Sequence, residues 1–270
     1  MPRKIKIILI VFAILLVSIG CDIFFEVNFS KVNVVNVQSQ KIAKGQEIKI
    51  VQISDLHNKE FFGKNVDLYK KIRQANPDFI VITGDLIDKN TKDYGRVEQF
   101  IKDLLKINKT IYFVSGDHEE KNIKNITKDL EGLGVKVLNR EVSVFDKGGQ
   151  KINIYGLDYF SDKSDINFIK NVPSKDYSIL LVHNPDFVIN NDIKIDLALS
   201  GDTHGGQIRL PIIGALSIPG QSLFPKYSKG LYPMSNGTIL YIDSGLGETL
   251  IPVRFLDRSQ ISLIVISQSD

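Results

Sequence analysis

The chain has 270 residues and a single cysteine, Cys21, which falls inside an N-terminal apolar stretch. The body therefore has no disulfide framework and no thiolate set for zinc or an iron–sulfur cluster. A cysteine-free body is compatible with either side of a membrane. Excess charge is also missing. The 34 basic and 31 acidic residues leave a net charge of +3, and Arg3, Lys4 and Lys6 account for it. From residue 7 onward, 31 basic residues meet 31 acidic ones. A neutral body argues against a nucleic-acid binder that works by phosphate neutralisation. There is no internal repeat and no low-complexity segment. With 43% apolar and 24% charged residues, the composition is that of a globular chain of one large domain or two small ones. Wholesale disorder, a collagen-like chain and a coiled coil are excluded.

What is present begins with Met-Pro-Arg-Lys-Ile-Lys and an unbroken apolar run from Ile7 to Cys21. Fifteen residues make about 22 Å of helix, short of a bilayer core of about 30 Å. Ile5 and Ile23-Phe24-Phe25 lengthen the span if Lys6 snorkels and Asp22 sits at the interface. The basic start keeps the N-terminus in the cytoplasm and sends the rest out. Three readings remain: an uncleaved single-pass anchor, a lipoprotein signal ending at Cys21, and a cleaved secretory signal. All three place the body outside the cytoplasmic membrane. The expected division is an anchor or signal segment over 1–26, a connector with a first strand (Val32–Val37) over 27–46, and one domain over 47–270.

The body alternates strand-like and helix-like patterns. Ile48–Ser54, Phe79–Thr83 and Ile111–Ser115 are apolar and β-branched, and Lys64–Gln74, Asp93–Ile107 and Ile123–Leu133 have helical spacing. This βαβαβα order predicts parallel strands flanked by helices. The second half is richer in strands. Val142–Asp146 and Lys151–Tyr155 flank Lys147-Gly148-Gly149-Gln150 as a hairpin, and Ile179–Val182, Leu197–Leu199, Thr238–Asp243, Val253–Leu256 and Ile261–Ile266 read as further strands. Leu210–Tyr232, rich in Pro and Gly, reads as a long loop. By position alone, Lys226 and Tyr227 are placed at a wall of the site.

The chemistry lies in the four histidines. His57, His118, His183 and His204 each follow an apolar, strand-like run, and three of them have an Asp one or two residues earlier. Phe79–Thr83 ends in Gly84-Asp85-Leu86-Ile87-Asp88. In a parallel sheet such strand ends open on one edge, where ligands bind in α/β folds. Asp55, His57, Asp85, Asp88, Asp117, His118, His183, Asp202 and His204 should therefore converge. Imidazoles with carboxylates at one rim suit Mn, Fe, Zn or Ni. There are more candidates than one ion needs, so two ions are expected, arranged to clamp an in-line phosphoryl displacement. No nucleophilic Cys is available, and no Ser sits in a nucleophile elbow.

The order Asp55-x-His57, Gly84-Asp85-x-x-Asp88, Gly116-Asp117-His118-Glu119, His183 and Gly201-x-x-His204 resembles the calcineurin-like metallophosphoesterase superfamily over about residues 47–266. Asp202-Thr203-His204-Gly205-Gly206-Gln207 and the tail Gly245-Leu246-Gly247…Arg254-Phe255 resemble its membrane-anchored bacterial branch. The resemblance implies an α/β fold, a four-layer α/β/β/α sandwich. It implies Asp55, His57 and His204 on one metal, Asp85 bridging, and Asp117, His183 and Asp202 on the second. His118 would contact the phosphate as general acid or charge stabiliser, and Asp88 would hydrogen-bond His118 and fix its tautomer. The implied reaction is attack on a phosphodiester or phosphomonoester by a metal-bound hydroxide. The ester belongs to a lipid, cell-wall or nucleotide phosphate, and no protein or nucleic-acid partner is expected. A nuclease and a catalytically impaired metal-binding surface module are the alternatives.

Two positions depart from the family pattern: Asp117 stands where Asn is usual, and Asp202 where His is usual. An oxygen-rich second site should favour Mn²⁺, or Mg²⁺, over Zn²⁺, with Fe a further alternative. The added charge should raise the optimum pH and hinder anionic substrates.

Overall fold

The computed structural model describes residues 2–170, 175–218, 223–249 and 252–269. Helix α1 (Arg3–Asn28) leads the chain and is longer than the apolar run that announced it. The first sheet takes β1 (Lys31–Gln38), β2 (Glu47–Ile53), β3 (Phe79–Thr83), β4 (Ile111–Val114) and β5 (Lys136–Val137). The second takes the hairpin β6 (Glu141–Lys147) and β7 (Gln150–Gly156), then β8 (Tyr177–Leu181) and β9 (Leu197–Ser200). A small pair, β10 (Arg209–Leu210) and β11 (Gly214–Ala215), stands apart, and β12 (Gly230–Pro233) and β13 (Ile239–Ile242) complete the second sheet. The last strand, β14 (Gln260–Ser267), returns to the first. The orders are β1-β14-β2-β3-β4-β5 and β12-β13-β9-β8-β7-β6.

Strands β2, β3 and β4 are parallel, as are β7, β8, β9 and β13. Both faces of their central members are covered, which is why they read as continuous apolar runs. Along β2 and β3 the residues alternate. Ile48, Ile50, Phe79 and Val81 face the second sheet in a shared core with Ile154, Ile179 and Leu199. Val51, Ile53, Ile80 and Ile82 face Leu68, Phe100, Ile101 and Ile126. Those come from α2 (Val66–Ala75), α3 (Gly95–Leu105) and α4 (Ile123–Leu133). On the far side, α5 (Ile166–Lys170) and α6 (Asp186–Ile189) cover the outer face of the second sheet with Ile169 and Val188. The result is the four-layer α/β/β/α sandwich.

Two sequence expectations are corrected. Val253–Leu256 is not a strand: it makes one isolated bridge, Ile208 with Phe255, because Arg254 turns inward between its neighbours. Leu210–Tyr232 is not wholly loop, since it carries the β10–β11 pair and leads into β12; residues 219–222 of it lie outside the described residues. The first strand is an edge strand of the first sheet, parallel to β14 from Lys31↔Gln260 to Gln38↔Ser267. Because β14 is antiparallel to β2, β1 starts at the edge where β2, β3 and β4 end.

Candidate metal centre

The site stands on five strand ends, three from the first sheet and two from the second. Asp55 and His57 follow β2, Asp85 follows β3, Asp117 and His118 follow β4, His183 follows β8, and Asp202 and His204 follow β9. Asp55, His57, Asp85, Asp202 and His204 all have left-handed backbones, with φ between 49° and 71°. Strain repeated over five residues is tolerated only where surrounding contacts fix it, and it is typical of functional sites. The loops also approach too closely for side chains: a Cβ on Gly116 would lie 2.0 Å from Asp85 Oδ1.

The side chains form two clusters that share Asp85. In one, Asp55, His57, Asp85 and His204 bring ligand-type atoms together, and in the other Asp85, Asp117 and His183 do so. His57 Nε2 lies 3.1 Å from His204 Nε2 and 3.5 Å from Asp85 Oδ2, and His204 Nε2 lies 3.6 Å from Asp55 Oδ1. His183 Nε2 lies 3.4 Å from Asp85 Oδ2 and 3.7 Å from both Asp117 Oδ1 and Asp202 Oδ1. Each of these imidazoles has an acceptor on its other nitrogen. His57 Nδ1 donates to Asp88 Oδ1 at 3.1 Å, His183 Nδ1 to Thr83 O at 2.7 Å, and His204 Nδ1 to Gly247 O at 3.4 Å. Each ring, when neutral, is thereby set to carry its proton on Nδ1 and turn its Nε2 lone pair inward.

Asp88 differs from its expected role. It hydrogen-bonds His57 rather than His118, whose Nδ1 is 3.8 Å away. The cause is local: Asn58 Nδ2 donates to Asp88 Oδ2 and to Thr91 Oγ1, and the Asp88 N–H donates to Thr91 Oγ1. This holds the Asp88 turn against the His57 loop. His118 packs edge-on against His57, with ring centroids 4.5 Å apart, and its N–H donates to Asp85 Oδ1 at 3.0 Å. Burial, with His57 and Lys89 nearby, pulls its pKa down and keeps the ring neutral.

Electrostatics mark an acidic cluster: against burial, Asp85, Asp117 and Asp202 hold His183 well above the usual imidazole range, and Asp88, Asp85 and Asp55 raise His57. Burial pushes Asp55 up to about 7, against the pull of His183, and burial also raises Asp202. Burial lowers His204 well below the usual imidazole range, aided by His57 and Arg254. Asp85 stays below the ordinary carboxylate range despite burial, because His183, His57 and His118 surround it. Asp55 Oδ2 and His183 Nε2 are buried without a hydrogen-bond partner. Mixed N/O donors with unpartnered inward atoms fit divalent cations.

Four residues matter that the sequence reading did not single out for a role. Glu119, fully buried, accepts from the N–H groups of Asp85, Ile87 and Gly116 at 2.9, 3.2 and 2.7 Å, tying two site loops together. Arg254, also fully buried, donates to Ser244 O at 2.6 Å and to Gly247 O at 2.7 Å, beneath His204. Lys89 Nζ pairs with Asp117 Oδ2 at 2.6 Å and compensates one of the two unusual carboxylates. Buried Asp243, at the end of β13, accepts from the Gly245 N–H at 2.7 Å and fixes the turn that carries Gly247. Glu119 reaches Asp85 and Ile87, Lys89 reaches Asp117, and Arg254 reaches back to Ser244, so these roles depend on contacts between loops that no local pattern marks. Lys226 and Tyr227 do not wall the centre. Lys226 lies over the Tyr227 ring, which packs on Tyr232 against the outer apolar face of the second sheet.

A four-layer sandwich with a His/Asp cluster at the strand ends of both sheets defines a metallo-dependent phosphatase fold and a metal-dependent phosphoesterase. The sequence profile described as calcineurin-like phosphoesterase matches residues 48–206, and the chain belongs to that family. It is 32% identical to the uncharacterized metallophosphoesterase YkuE of Bacillus subtilis over 249 residues, covering 87% of this chain and 84% of that one. A transmembrane protein with metallophosphoesterase domain from Danio rerio is 28% identical, covering 82% of this chain and 54% of that one. Among solved structures, the fold is shared with the sulfate thiohydrolase SoxB of Thermus thermophilus, at TM-score 0.52 and 12% identity, covering 81% and 56%. It is shared too with the Haemophilus influenzae NAD nucleotidase, at TM-score 0.51 and 20% identity, covering 74% and 45%. The chain is thus a phosphoric ester hydrolase with a dinuclear divalent metal site. Its α1 is long and apolar enough to cross a membrane and is unburied throughout its most apolar window.

Proposed function

We propose that Asp55, His57, Asp85 and His204 hold one divalent ion, and that Asp85, Asp117, His183 and Asp202 hold the other, with Mn²⁺ preferred. The observation that carries this is the shared orientation of three histidines, each tied at Nδ1 with Nε2 turned into the carboxylates. Two divalent ions, when bound, lower the pKa of water and neutralise charge on the phosphoryl group. The chain's own residues do the rest. Asp88 orients His57. Neutral His118, at the rim, donates an N–H hydrogen bond that stabilises charge on the phosphate or leaving oxygen. Lys89 offsets the charge of Asp117 where an anionic ester must approach. The substrate is a phosphodiester or phosphomonoester of a lipid or envelope component. Helix α1 is an uncleaved anchor, and Arg3, Lys4 and Lys6 orient it so that the domain lies outside the cytoplasmic membrane.

The test uses the full chain in detergent, stripped of metal and reloaded with Mn²⁺, Mg²⁺ or Zn²⁺, on chromogenic mono- and diesters. Turnover that is highest with Mn²⁺ and absent in Asp85→Ala is expected. Full activity with Zn²⁺ at neutral pH would refute the Mn²⁺ preference, and no turnover with any ion would favour a metal-binding module.

A further inference from the structure

The β10–β11 pair carries features that the metal centre does not explain. Its two-residue strands pair Arg209↔Ala215 and Leu210↔Gly214, leaving Pro211, Ile212 and Ile213 at the tip. The Ile213 N–H donates to Pro211 O at 2.8 Å, closing a three-residue turn around Ile212 at φ 70°. A β-branched residue in that conformation is strained, and Gly or Asn would be at ease there. Yet the isoleucine is also fully exposed, at 107% of its reference area, with Ile213 at 59%. Two unfavourable features at one position, with no packing among the described residues to offset them, mark a surface shaped for contact. Exposed Phe224 stands at the base of the pair, its N–H donating to Leu216 O at 3.0 Å.

The location of the tip identifies the partner. At its base, the Arg209 N–H donates to Phe255 O at 3.0 Å, and the Phe255 N–H to Gln207 O at 2.9 Å. The very next residue, Leu256, donates its N–H to Asp22 Oδ2 of α1 at 3.4 Å. Ser259 N–H reaches Glu26 O at 3.0 Å, and Arg258 Nε reaches Phe29 O at 2.6 Å. Hairpin and anchor therefore hang on one short segment, 255–259. Helix α1 then enters β1 at the sheet edge where the metal-site loops emerge. Beside that exit Phe29 meets Phe62, which is exposed on the loop that follows His57, with ring centroids 6.5 Å apart. Aromatic rings at the end of a spanning helix suit the membrane interface.

We propose that the Pro211–Ile213 tip dips into the bilayer interface as a second membrane contact beside α1, holding the metal-site edge against the lipid surface, and that the substrate is therefore a phosphate ester carried on a lipid. The proposal rests on α1 spanning the bilayer. The 256–259 bonds join the body to the end of α1, and a second apolar contact, inserted about 5–10 Å, sets the tilt of that joined unit on the lipid. A lipid phosphate then shares the layer to which the site is tied, at a raised effective concentration.

The chain has no tryptophan, so single Trp reporters are unambiguous. The full chain carrying Ile212→Trp, Phe12→Trp in α1, or Lys151→Trp at the opposite sheet edge is reconstituted in phosphatidylcholine–phosphatidylglycerol vesicles with brominated acyl chains. Emission from Ile212→Trp and Phe12→Trp should fall at least about twofold, and that from Lys151→Trp should hold. Quenching of Phe12→Trp without Ile212→Trp overturns the proposal and leaves the anchor standing; no quenching of either overturns both. The double variant Ile212→Ser, Ile213→Ser should keep its turnover of a soluble chromogenic ester. It should lose about tenfold on a fluorogenic phospholipid diester in vesicles. Equal turnover of the vesicle substrate by variant and parent, or none by the parent, overturns the lipid assignment.

Discussion

The two carboxylates that depart from the family pattern have different surroundings. Asp117 is paired with Lys89, while Asp202 has His183 at 3.7 Å but no lysine or arginine in ion-pair contact among the described residues. Lys89→Met should therefore raise KM for a dianionic monoester about threefold or more, with the difference shrinking at high salt. Steady-state kinetics at two ionic strengths would check it. Asp243 offers a pH test away from the metal ligands. Burial pushes its carboxyl above the ordinary range, against the donors Ser262, Gly245 and Gln260. The folded chain then holds this proton more tightly than the unfolded chain, so the contribution is present below pH 3.8 and is lost as pH rises through the folded value. Asp243→Asn should remove that loss, so that as pH rises above 3.8 its Tm falls less than the parent's, by about 2 °C or more in thermal scans. At this scale the sequence showed which residues gather, because each sits just past an apolar run. It did not show that Asp88 serves His57, since that choice depends on Asn58 and Thr91 across two loops.

Among the elements, the loops that hold the centre are themselves held by two buried charges. Glu119→Ala would leave three buried N–H groups without acceptors, at about 1–3 kcal/mol each. Arg254→Met would leave Ser244 O without its guanidinium donor, strip Gly247 O of one of its two donors, and leave the buried Asp257 carboxylate short of one of its two cations. Breaking such a buried arrangement costs about 3–5 kcal/mol. Both variants should unfold at lower denaturant than the parent, with an unchanged slope, in chemical denaturation followed by circular dichroism. Helices and strands were legible to within a few residues: Ile123–Leu133 is α4, and the hairpin pairs Val142 with Tyr155 as its turn residues imply. Val253–Leu256 misled because its apolar residues alternate around Arg254, and only the fold reveals that this arginine is the buried one. The β10–β11 pair was hidden by its Pro and Gly content, which reads as loop.

For the whole molecule, the decisive feature is that both sheets present their site loops at one edge and that α1 joins the body at the same edge. The full chain should therefore stay with membranes through a carbonate wash and leave them only with detergent; release by carbonate would argue against a spanning α1. The four-layer architecture was readable from the order of patterns together with the family resemblance. How α1 meets the body was not, because the bonds of Asp22 and Glu26 to the 256–259 segment join residues more than 230 positions apart. The central claim is a centre of two metals bridged by Asp85. Metal analysis of the Mn²⁺-loaded full chain, combined with electron paramagnetic resonance, tests it most directly. Two Mn²⁺ per chain with an exchange-coupled signal, collapsing to an uncoupled signal in Asp85→Asn, is the predicted result. A single uncoupled ion in the parent chain would contradict it.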